Sequence, residues 1–184
     1  MVWLVCYWLL VGCTTASKLT KVSSNVQGLA YNSVASNYTP MFTTASLLDF
    51  DDGSKAIHYK METYKRDNYG NIQTANVTIP DTSLEQHLVL LNKFLDWDIK
   101  AKSRSEQFDK EIGRAKTING YSVYTFHSGS QHSNFLDVCF VLGENGFCMI
   151  ESITFDVTNV KRIIEDLTKF KNGQFKHVDT SIYN

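Results

Sequence analysis

His127 and His132 stand five positions apart in the polar run from Phe126 to Ser133, and Asp137 follows on the next apolar segment. Imidazoles and carboxylates hold zinc or act as catalytic bases. A metal site, however, needs three or four converging ligands, and a hydrolase needs a nucleophile beside a base that a third group orients. The spacing meets neither requirement. No His-Glu-x-x-His, Gly-x-Ser-x-Gly, phosphate-binding loop or dinucleotide-binding glycine run occurs in the chain. The run therefore reads as a solvated loop and the chain as a non-enzyme with no metal or cofactor. Asp96 and Asp98 flank Trp97, but side chains two apart on a helix do not face each other, so they form no general acid and base pair.

The elements that must position these residues follow from periodicity and turn chemistry. Asp52-Gly53 is a type I′ hairpin signal, and a two-residue turn there pairs Leu48 with Ile57, Ser46 with Tyr59 and Thr44 with Met61. Phe42, Leu48, Phe50, Ile57, Tyr59 and Met61 are then core. A turn at 68–71 leads to a strand ending at Ile79-Pro80. A helix over 83–103 follows, with Thr82 and Glu85 at capping-box spacing. Its stripe is Leu84, Leu88, Leu91, Leu95 and Ile99, widened on one flank by Leu90, Phe94, Trp97 and Ala101. So wide an arc either wedges between layers or offers Leu90, Phe94 and Trp97 to a partner.

Asn119-Gly120 marks another hairpin between 111–118 and 121–129, and 143–146 separates strands over 135–142 and 147–155. With Leu142 opposite Phe147, Phe140 faces Met149 and Leu136 faces Ile153, while Cys148 is the diagonal neighbour of Cys139. That position is near the limit of disulfide geometry, so two free, buried thiols are expected, with a bond as the alternative. A last helix over 158–171 buries Val160, Ile163, Ile164, Leu167 and Phe170 and stops at Gly173. The order β-β-β-α-β-β-β-β-α predicts an α+β fold, an antiparallel sheet of about six to seven strands with two helices packed on one side.

Residues 2–13 form an uncharged apolar run that would rise only about 18 Å as a helix, against roughly 30 Å of bilayer hydrocarbon, which suits an export signal. Its end, Leu10-Val11-Gly12-Cys13, resembles the lipobox of bacterial lipoproteins, with Leu three before the cysteine and a small residue just before it. The resemblance implies a signal peptide at 1–12 and a membrane anchor at lipidated Cys13. Thr14, where the family's inner-membrane retention signal would be Asp, implies the outer membrane, facing the periplasm. The domains are then 1–12, a lipid-anchored flexible arm at 13–40 and a single α+β domain at 41–184. An ordinary secretory peptide cleaved near Ala16 would instead release a soluble secreted domain. The sequons Asn37-Tyr38-Thr39 and Asn76-Val77-Thr78 suit a secreted eukaryotic origin.

Residues 14–40 are rich in Ser, Thr and Asn, as an arm should be, although Val26, Leu29, Tyr31 and Val34 equally suit an irregular cover docked on the body. Removing the first 12 of 184 residues leaves 172, enough for one domain with a real core. The net charge of -1 argues against an electrostatic grip on nucleic acid. The function expected is a non-enzymatic envelope module that binds an envelope protein. The alternative is a carrier of an apolar ligand or lipid, its pocket lined by Tyr59, Met61, Leu91 and Phe94.

Overall fold

The computed structural model describes residues 15–130, 133–149, 151–175 and 178. Cys13, on which the lipobox resemblance rests, and His132 lie outside them. The described residues form ten strands and two helices: β1 (Ala16–Val22), β2 (Leu29–Asn32), β3 (Asn37–Pro40), β4 (Thr43–Phe50), β5 (Lys55–Arg66), β6 (Ile72–Pro80), α1 (Leu84–Arg104), β7 (Asp109–Thr117), β8 (Gly120–Ser130), β9 (Ser133–Val141), β10 (Ile153–Asp156) and α2 (Val157–Lys171). No helix among the described residues is long and apolar enough to cross a membrane.

The class is α+β with antiparallel pairing, but the strands make two sheets rather than one: four strands in the order β1-β4-β5-β6 and six in the order β3-β2-β10-β9-β8-β7. Where β6 meets β7, side chains replace a backbone ladder. Thr117 Oγ1 donates to the Thr78 carbonyl (2.8 Å), and Ser83 Oγ donates to the Lys116 carbonyl (2.7 Å). Each sheet turns one face to a shared core. Ile57, Tyr59, Met61, Ala75, Val77 and Ile79 alternate inward from β5 and β6; Tyr124, Phe126, Leu136, Val138, Ile153 and Phe155 do so from the larger sheet. α1 packs on β6, β7, β8 and α2, while α2 packs on β9 and β10.

Residues 16–40 differ from a flexible arm, for they supply three strands. β1 adds to the edge of β4, and β2 with β3 extends the larger sheet beyond β10. Val22, Val26 and Leu29 are buried, whereas Tyr31 and Val34 are exposed. A short apolar set suffices for docking here because the polar residues between them are satisfied, Ser24 Oγ by donating to Asp166 of α2 (2.5 Å) and others by local bonds. Asn32 Oδ1, for instance, accepts from the Val34 and Ala35 N–H groups.

The β4–β5 hairpin is one residue out of the expected register. Phe50 N–H donates to the Ser54 carbonyl and Gly53 N–H to that of Phe50, both at 3.0 Å, so the loop has three residues, with Gly53 at φ +83°. Leu47 is thereby opposite Ile57 and Ala45 opposite Tyr59. One residue of slip turns Ala45 and Leu47 toward the shared core and leaves Phe42 exposed and Leu48 half-buried, while Phe50 is buried as expected. The Asn119-Gly120 turn is also displaced: Thr117 pairs with Gly120 around Ile118 and Asn119. Glycine serves there for close approach, since a Cβ at 120 would collide with the Val141 carbonyl.

Between β9 and β10 the pairing begins as expected, with Met149 N–H donating to the Phe140 carbonyl (3.0 Å), but it resumes two residues out, with Val138 opposite Ile153. The intervening chain leaves the ladder, so Leu142, Phe147 and Met149 are exposed rather than core. The same departure brings Cys139 and Cys148 to a Cα separation of 5.6 Å, nearer than diagonal neighbours in a ladder, and they are bonded. The expectation of two free thiols is therefore corrected, and the bonded alternative is the one found.

Candidate functional site

α1 begins after a 3-10 turn at Asp81–Ser83, and no side chain caps it, so the capping box predicted at Thr82 and Glu85 does not form. Its buried face is Leu84, His87, Leu90, Leu91, Phe94, Asp98 and Ala101, with Ile99 66% exposed. The helix is rotated from the expected stripe because two of its interior positions are polar and satisfied. His87 Nε2 lies 2.8 Å from the Lys116 carbonyl, and Asp98 accepts from Asn134 Nδ2 (2.9 Å) while pairing with Lys102 (2.8 Å).

Of the flank proposed for binding, Leu90 and Phe94 are core. Leu90 lies against Gly113, and Phe94 is fully buried beside Phe126. Trp97 alone reaches the surface, where it lines an opening of about 460 Å³ with Lys100, Ala101, Arg104, Glu106, Phe108, Asp109 and Lys110. Tyr59, Met61 and Leu91, the other walls expected for an apolar carrier, pack into the core with Phe94.

The opening is built at the end of α1. Ser105 stands in the left-handed region, and the N–H groups of Ser105 and Glu106 return to the Lys102 and Ala101 carbonyls, a Schellman closure. That reversal brings Phe108 beneath Trp97, with centroids 6.1 Å apart, and stacks it on Phe126 at 4.7 Å. The floor is pinned by polar bonds: Phe108 N–H donates to Ser128 Oγ (3.2 Å), Ser128 Oγ to Asn134 Oδ1 (3.1 Å), and Asn134 to Asp98. Cations ring the indole. Lys93 Nζ lies 5.1 Å from its centroid while donating to the Ile112 carbonyl (2.8 Å), and Lys110 Nζ lies 5.7 Å away. Arg104 is paired with Glu106 at 2.7 Å, but neither Lys100 nor Lys110 has a carboxylate partner among the described residues. The rim's two carboxylates, Glu106 and Asp109, are held by Arg104 and His127, so an apolar floor beside Lys100 and Lys110 suits a ligand that carries an apolar group next to negative charge.

His127 and Asp137 lie on the outer face of the larger sheet, and the fold gives them separate partners. His127 Nδ1 is 2.6 Å from Asp109, and Asp137 accepts from Thr154 Oγ1 (2.5 Å). Burial raises the Asp137 carboxyl above the usual range. No three metal-ligating side chains converge among the described residues. Cys139 packs on this face with Val123, Val141 and Tyr121. Sequence reasoning missed Phe108 and Lys110 as parts of the Trp97 opening. They follow the helix after a reversal that periodicity does not report, and the αL position is held by Ser105 rather than by the glycine that would have signalled it.

Fold and site together define a two-sheet α+β domain with a solvent-facing tryptophan opening beside its longer helix. No known family matches the chain, no curated protein matches it, and no solved structure matches it.

Proposed function

We propose that this chain is a non-enzymatic binding module of a bacterial cell envelope, tethered through lipidated Cys13 to the outer membrane on its periplasmic side. It docks a segment of an envelope protein in the Trp97 opening. The reading is supported by one observation above all: Trp97 and Phe108 form an apolar floor beside Lys100 and Lys110, which have no carboxylate partner among the described residues. The segment that fits has an apolar side chain for the floor and carboxylates beside it for Lys100 and Lys110.

Two measurements test this proposal. Intact mass and N-terminal peptide sequencing of the protein from its native membrane fraction should find a diacylglycerol-modified Cys13, and an unmodified terminus beyond it would make the chain a soluble secreted domain. Residues 14–184 contain Trp97 as their sole tryptophan, so its fluorescence reports the opening directly. Peptides selected on this body from a displayed library should combine a leucine or aromatic residue with Asp or Glu and should shift the Trp97 emission. Trp97→Ala and Lys110→Glu should each abolish selection. Retention of the same peptides by both variants would sink the docking reading.

A further inference from the structure

Tyr31 and Tyr38 face each other across the β2–β3 hairpin with ring centroids 5.4 Å apart, and Tyr38 packs on Phe135 at 4.3 Å. Two adjoining grooves share these tyrosines. One, of about 540 Å³, continues over Asn37, His127 and Phe135; the other, of about 290 Å³, continues past Tyr64, Asp137 and Glu151. Tyr31 is 55% exposed, and the Tyr64 hydroxyl is held by Thr39 Oγ1 at 2.6 Å. Aromatic faces thus alternate along one track with groups that accept hydrogen bonds. Asp137 uses one carboxylate oxygen on Thr154 and has no partner for the other among the described residues.

The chemistry of the track narrows its ligand. An anion would need unpaired cations, yet the basic groups lining the grooves are already engaged: Lys65 by Glu151 at 2.8 Å and His127 by Asp109 at 2.6 Å. A lipid would need walls without polar groups, whereas Asn37, Ser128, Asp137 and Thr154 line these grooves. A pyranose presents an apolar C–H face bordered by hydroxyl donors, and the track offers rings for the face with carboxylates for the hydroxyls. We infer that this groove binds a linear oligosaccharide, with sugar rings stacked on Tyr31 and Tyr38 and hydroxyls donating to Asp137. The inference is independent of the Trp97 opening.

The test is calorimetric titration of the full-length chain, in detergent, with hexasaccharides of β-1,4-linked N-acetylglucosamine, β-1,4-linked glucose and α-1,4-linked glucose, and with hexalysine. At least one hexasaccharide should bind saturably. Tyr31→Ala should weaken it at least about tenfold, while Tyr31→Phe, which keeps the ring, should stay within about threefold of the parent. Asp137→Asn should weaken it at least about threefold, and Trp97→Ala should leave it unchanged. Tyr31 projects from an edge hairpin, so the Tyr31 pair carries the test even where Asp137→Asn unfolds. Absence of hexasaccharide binding, binding that survives Tyr31→Ala, or binding of hexalysine in place of the sugars would overturn the proposal.

Discussion

The His87 imidazole and the Tyr124 hydroxyl meet in the core with 2.5 Å between Nδ1 and the phenol oxygen. Because the Lys116 carbonyl can only accept, His87 Nε2 carries the proton, and Nδ1 accepts from Tyr124. This arrangement requires the neutral ring, and burial lowers the His87 pKa to about 4.

The unfolded chain takes up a proton on this ring below about pH 6.5, while the fold resists doing so until about 4. The contribution of His87 is therefore fully present above about pH 6.5 and is lost between there and about pH 4, to a total of about 3 kcal/mol. The buried carboxyls Asp137 and Asp166, whose pKa values are raised, act in the opposite sense, because their protonation on acidification favours the fold. Urea unfolding midpoints from pH 7.5 to 4 should fall more steeply for the parent than for His87→Gln. Parallel curves would refute the assignment.

Phe94 and Trp97 are neighbours in sequence with opposite fates, and truncation should separate them. Phe94→Ala opens a cavity in the shared core and should cost about 3–5 kcal/mol. Trp97→Ala removes a half-buried ring and should cost markedly less. Denaturant unfolding of both variants checks the order, and a larger loss for Trp97→Ala would contradict the orientation of α1.

In a body lacking residues 1–13 the only cysteines are Cys139 and Cys148. Thiol titration after denaturation without reductant should find neither free. Reduction should raise the mass by about 2 Da and lower stability by about 2–3 kcal/mol, the loop-entropy value for so short a loop.

Ser105 holds φ 53° and ψ 36° at the end of α1, a conformation that costs a side-chain-bearing residue about 1–2 kcal/mol. Ser105→Gly should raise stability by about 1 kcal/mol, less than the strain because glycine loses more backbone freedom on folding. Thermal unfolding of the two proteins measures the difference. Since the substitution keeps the reversal that seats Phe108, peptide selection at Trp97 should be unchanged.

Local chemistry made much of this legible in the sequence. Leucine spacing marks α1, and Val160, Ile163 and Leu167 mark α2, because an amphipathic helix repeats its apolar face every 3.6 residues. Gly53, Gly70 and Gly173 mark chain reversals because each adopts a positive φ. The inward set Ile57, Tyr59 and Met61 follows from alternation in β5 alone.

Tertiary structure decided the rest. Burial of His87 and Asp98, which turns α1, depends on acceptors and donors in β7, β8 and β9 that are distant in sequence. A three-residue loop rather than a two-residue one shifts β4 by one position, and both loop lengths fit Asp51-Asp52-Gly53. The Cys139–Cys148 bond required β9 and β10 to part, and the Ser- and Asn-rich segment 16–40 became strands because the open edges of β4 and β10 offered it backbone partners. Periodicity reads a segment against water and an average interior. Register, sheet edges and buried polar partners depend on which other segment arrives, and that is set only when the whole chain packs.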